Sequence, residues 1–196
     1  MLERYGLTVL SGPATEPVTT AEAKAHLRVE HGSDDTLIGS LVTAARELVE
    51  ATCDRTLVTT AWVLTLPGFP ADGGPLRLPR GPLQTITSVA YVDAAGTSQT
   101  LSASRYLVDA SADPGTVTPA HGYSWPGTRD QEKAVTVTYV AGYGTAASVP
   151  ERVKLAVKML VGHWYETREA AGTAPLTPAP MGVDALLMAV WPGGYA

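Results

Sequence analysis

The residues best suited to chemistry in this 196-residue chain are four histidines (His26, His31, His121, His163), the single Cys53, Ser124 and the acidic pair Asp34-Asp35. Two histidines four apart on a helix, or a His-Glu-x-x-His run, would point to bound zinc, and neither spacing occurs here. Ser124, in Gly122-Tyr-Ser-Trp-Pro126, opens like a nucleophile elbow and would give a hydrolase with His121 as base. The elbow's last glycine is missing, however, and no helix follows the serine. Gly142-Tyr-Gly144 lacks the spacing of a dinucleotide loop, and no phosphate-binding Gly-Lys-Ser/Thr exists. Asp34 and Asp35 suit the positive end of a helix dipole, and Cys53 reads as a small buried residue rather than a reactive thiol. The residue pattern therefore yields no catalytic residue, no metal ligand set and no cofactor loop.

Composition narrows the class further. The chain is 45% hydrophobic and 17% charged, in the range of folded proteins. A lone cysteine allows no intrachain disulfide. No run of 18 apolar residues is present and the N-terminus has no secretory pattern, so the expectation is a protein that stays in the cytoplasm of the cell that makes it, without a membrane partner. The formal charge is −5, and the basic residues are scattered rather than gathered as a phosphate-binding surface needs.

These residues are carried by elements whose periodicities differ along the chain. Residues 1–18 read as an N-terminal arm. Thr19-x-x-Glu22 is a capping box that starts a helix over 20–27. A second helix over 34–52 carries Leu37, Ile38, Leu41, Val42, Ala45, Leu48 and Val49 as one apolar stripe, with Arg46, Glu47 and Glu50 on the opposite, solvated side. Between about 57 and 145 the pattern turns to about six short strands with Gly/Pro turns, including a hairpin turn at Asp93 to Gly96. A third helix, 151–168, starts behind Pro150 and carries its stripe on Val153, Ala156, Val157, Leu160, Val161 and Trp164. Residues 170–180 form a Pro-rich linker, and a short apolar segment follows. The pattern predicts an α+β fold: a helical-bundle core of N- and C-terminal helices, an inserted region of short antiparallel strands, and a C-terminal arm.

Several segments, in order, resemble one family. They are Val18-Thr-Thr-Ala-Glu-Ala-Lys-Ala-His-Leu-Arg-Val29, Asp34-Asp-Thr-Leu-Ile38, Ala44-Ala-Arg-Glu-Leu-Val-Glu50, Leu76-Arg-Leu-Pro-Arg-Gly-Pro-Leu83, Ser88-Val-Ala-Tyr-Val-Asp93, Val137-Thr-Tyr-Val-Ala-Gly-Tyr-Gly144, Val149-Pro150 and His163-Trp-Tyr-Glu-Thr-Arg-Glu169. Together they resemble the head–tail connector (adaptor) proteins of long-tailed phages, prophages and gene-transfer-agent particles. The resemblance implies a virion structural protein that forms a ring, typically twelve-fold, on the portal protein. On the tail side it implies a stopper or tail terminator protein as partner. It also implies that DNA passes through the ring without specific binding, and that no catalysis is involved. Twelve copies would carry about −60 in formal charge, which repels DNA on average.

The residues themselves suggest two docking elements. Leu155 and Met159 lie behind the main stripe of the third helix and form a candidate oligomer interface, unless the chain's own strands cover them. Met181, Val183, Leu186, Leu187, Val190 and Trp191 form an apolar segment on a tether, expected to order on the portal with Trp191 as anchor rather than fold back on its own domain. Two other functions compete: a carbohydrate- or peptide-binding module using Tyr123 and Trp125, and the hydrolase built on Ser124 and His121.

Overall fold

The computed structural model describes residues 5–167 and 181–188. The chain divides into two units, one made of residues up to Pro13 together with Thr59–Gly142, the other of Ala14–Val58 together with the chain from Tyr143 onward.

The first unit is built of strands. A five-stranded antiparallel sheet runs in the order β1-β2-β8-β4-β5, from β1 (Gly6–Ser11), β2 (Thr60–Leu66), β8 (Val135–Ala141), β4 (Leu83–Val92) and β5 (Ser98–Thr100). A three-stranded antiparallel sheet orders β3 (Leu76–Leu78), β7 (Gly115–Pro119) and β6 (Tyr106–Asp109) as β3-β7-β6. β8 is the central strand and alternates buried with half-buried residues. Its Val135, Val137, Tyr139 and Ala141 stand opposite Leu66, Leu64, Trp62 and Thr60 of β2. They join Leu76, Leu78, Leu83, Val89, Leu101 and Val117 in one core, where the Tyr139 hydroxyl donates to the Pro79 carbonyl at 2.7 Å. Gly115 is required where β7 passes Leu83, because a Cβ there would lie 2.5 Å from the Leu83 Cβ. The β4–β5 hairpin turns at Asp93, whose carboxylate accepts from the amides of Ala95 and Thr97, with Gly96 at φ +85°.

The second unit holds α1 (Thr20–Leu27), α2 (Asp35–Cys53), α3 (Glu151–Glu166) and α4 (Met181–Met188). The capping box is formed: Thr19 Oγ1 accepts from the Glu22 amide at 3.1 Å and the Glu22 carboxylate accepts from the Thr19 amide at 2.7 Å. That hydrogen bonding to Thr19 lowers the Glu22 pKa. α2 and α3 pack through Ile38, Val42, Ala45, Val49 and Cys53 against Val153, Ala156, Val157, Leu160 and Val161, whereas Leu37 and Leu48 of the expected α2 stripe are exposed. Tyr165, near the end of α3, donates its hydroxyl to the carboxylate of Asp34 at the start of α2.

Three expectations change. The fold is α+β, but it is not a helical-bundle core with strands inserted into it. Eight strands in two sheets, counted among the described residues, enclose a core of their own, because β8 buries one whole face and β2 sets Leu64 and Leu66 against it. The segment read as an irregular arm contains β1, which pairs antiparallel with β2. Finally, Arg46 and Glu50 are buried rather than solvated, for the reason given below. The linker at 170–180 lies outside the described residues.

Candidate interaction surfaces

The residues first considered for chemistry are placed where simple packing explains them. Ser124 and His121 are both exposed in the loop between β7 and β8, and the loop is followed by a strand rather than a helix. Trp125 is not a free platform: its ring stacks on Phe69 at 4.6 Å, and its Nε1 donates to the Gly74 carbonyl at 3.0 Å. Tyr123 is exposed, with the Arg105 guanidinium 5.5 Å from its ring centre. His26 and His31 are exposed and His163 is half-buried on α3. Asp35 pairs with Lys24 at 2.6 Å. Among the described residues no three His, Cys, Asp or Glu side chains converge as a metal site. Cys53 is buried at the end of α2; burial raises its thiol pKa, and nearby Arg55 only partly opposes this.

The strongest electrostatic feature lies on α2. Arg46 Nε donates to Glu16 at 2.8 Å, Nη1 to Glu50 at 2.7 Å and Nη2 to Glu47 at 3.3 Å. Burial alone would lower the guanidinium pKa, but the carboxylates of Glu50 and Glu16 outweigh it and hold the pKa above the ordinary arginine value. Glu50 also accepts from the Leu57 amide at 2.8 Å, so the network fixes the chain leaving α2. The helix wheel puts these residues on the polar side. Their burial comes with partners from outside the helix, Glu16 on Arg46 and the Leu57 amide on Glu50.

The expected docking residues fall into three groups. Leu155 is 40% exposed, whereas Met159 is half-buried, 3.1 Å from where a Cβ on Gly182 would stand. On α4, Met181 is the first residue, Val183 and Leu187 are buried, and Leu186 is half-buried, all three against the same core as α2 and α3. In this chain the helix thus lies against α3. Val190 and Trp191 lie outside the described residues. Leu37 and Leu48, expected in the buried stripe of α2, are exposed instead, and the sequence reading missed the exposed Met188 of α4, Val9 and Leu10 of edge strand β1, and Leu107 and Val108 of edge strand β6. The edge positions had no signal, since strand order cannot be read from one sequence.

The exposed apolar residues of this two-unit α+β fold are spread singly over helix faces and sheet edges, and no cluster among the described residues marks a catalytic or metal site. Comparison with known proteins makes the class specific. The family model described as head completion protein matches residues 17–174, and the chain belongs to that family, a phage- or gene-transfer-agent-type head–tail connector as the resemblance implied. One similar solved structure is a chain in the virion of a native gene transfer agent (GTA) particle, at 25% identity and TM-score 0.76, covering 94% of each chain. Another is in the neck of the native GTA particle computed with C12 symmetry, at 24% identity and TM-score 0.77, again with 94% of each chain covered. A third, in the neck of the empty particle computed with C6 symmetry, has 24% identity, TM-score 0.76 and the same coverage. No curated protein matches the sequence.

Proposed function

We propose that this chain is a non-catalytic subunit of the neck of a phage-like particle, where copies of it form a ring between portal and tail around the path of the DNA. The family match over residues 17–174 carries the reading. The likeness to a chain of a GTA virion supports it, and C12 symmetry in a similar neck favours twelve copies. The portal protein is the head-side partner and a stopper or tail terminator the tail-side one. Within the chain, the segment from Met181 through Val190 and Trp191 is the candidate portal contact, its Val183 and Leu187 becoming available only if α4 leaves α3, and Leu155 with Met159 is the candidate contact between copies.

The test is deletion of the coding sequence in the particle-producing strain, followed by electron microscopy and portal pull-down. Filled heads without tails, restored by the wild-type chain, together with capture of the protein by its own portal, are expected. Normal tailed particles in the deletion strain would overturn the reading.

A further inference from the structure

We propose that in the particle α4 seats on α3 of the neighbouring copy rather than on its own; the inference rests on the ring reading above and supplies the partner of Met159 in the contact between copies. The seat itself is formed within the single chain. Val183 and Leu187 of α4 are buried, and Leu186 is half-buried, against the core that holds Val153, Val157 and Leu160 of α3. At the start of α4, a Cβ on Gly182 would lie 3.1 Å from the Met159 Cε. An eight-residue helix is too short to hold itself in water, and Asp184 is the only charge on this one. α4 therefore needs a seat, and every copy of the chain offers the same one.

The tether decides which seat is used. Met159 lies seven residues before Glu166, the last residue of α3, or about 10 Å back along the helix at 1.5 Å per residue. Packed helices that neighbour one another in sequence are ordinarily joined by about two to eight residues. Here thirteen residues separate Thr167 from Met181, and they include Pro175, Pro178 and Pro180. Proline fixes φ and favours extended chain, and a Pro-rich stretch of this length reaches about 40 Å at 3.1 Å per residue. Docking through a tether is strongest when its natural length matches the distance spanned, and a longer tether weakens it. A tether that far exceeds the return path gives the chain's own seat no decisive advantage once equal seats stand alongside. Handing α4 to the next copy requires no new surface, because the contacts are those already made within the chain. When each copy passes α4 on in the same sense, every seat is filled and the contact is head-to-tail, the kind that closes into a ring by rotation.

Cysteines on the two sides of the seat distinguish the arrangements. Met159→Cys, Gly182→Cys and the two combined are treated with a short flexible bismaleimide, as dilute isolated protein and in purified particles. Native Cys53 is buried and does not react. The combined variant should close internally as dilute protein and give a ladder of covalent multimers in particles, while each single variant stays monomeric. Internally closed monomer in particles would overturn the exchange, as would attachment of Gly182→Cys to a protein of another mass. So would particles that contain the combined variant without a bridge of either kind; all three outcomes leave the ring reading intact. Absence of the wild-type chain from tailed particles would overturn the ring reading as well. As a second arm, deleting residues 171–176 leaves a tether of about 22 Å, enough for the chain's own seat. This variant should melt like wild type as isolated protein but lose the ladder, and a ladder as long as that of the full tether would refute the exchange.

Discussion

Arg46 gathers three carboxylates, and its replacement should be felt well beyond α2. Removing one partner of a buried ion pair leaves the other charge without compensation. In Arg46→Met, the buried Glu50 would lose its 2.7 Å ion-pair partner, and Glu16 would lose its anchor. The expected loss is about 3 kcal/mol by urea denaturation. Adding Glu50→Gln should recover part of it, since a neutral amide can still accept from Leu57 N–H without carrying a buried charge. A single variant within about 1 kcal/mol of wild type would mean the network is solvated in solution. At this scale the sequence told half the story. The capping box at Thr19 was legible because its partners are three residues apart. The burial of Arg46 was not, because Glu16 lies thirty residues away and no local pattern announces it.

At the level of elements, periodicity located α2 and α3 within two residues of their ends, since an amphipathic stripe leaves the same mark whatever lies opposite. It could not tell that the arc of α2 is too wide for one partner and is shared between core and surface. β1 was missed because six residues opposite a strand some fifty positions later leave little mark in one sequence. The terminal segment was legible as apolar, but not in its choice of partner. With Val183 and Leu187 buried against α3, α4 supports its own unit, so Val183→Ala with Leu187→Ala should lower the stability of the isolated protein. The expected loss is about 2 to 4 kcal/mol, as for truncation of buried aliphatics at a site that can partly relax. An unchanged melt would show that α4 leaves α3 in solution. The segment would then be open to a portal, as the sequence reading held.

Across the whole molecule, charge decides whether the proposed role in a DNA conduit can involve gripping the duplex. The strand unit has six Lys or Arg against seven Asp or Glu, and the helical unit eight against twelve, so neither has a basic excess. Several cations are moreover engaged within the chain: Arg46 by three carboxylates, Arg80 over Trp62 at 5.8 Å and Arg105 over Tyr123 at 5.5 Å. Duplex binding draws its affinity from Lys and Arg displacing phosphate counterions, and a surface without clustered cations has few to release. The isolated protein should therefore show no duplex binding by fluorescence anisotropy at micromolar concentration and physiological salt. Lowering the salt should not rescue binding, because weaker screening also strengthens the repulsion from a net −5 chain. Submicromolar affinity with a steep salt slope would place an undetected basic surface on the DNA path and overturn passage without grip. Repeating the measurement on the assembled ring sharpens the contrast. In the proposed ring, twelve copies would concentrate about −60 around one axis, so assembly should weaken any residual association, whereas a DNA-gripping ring would gain affinity as its weak sites became multivalent.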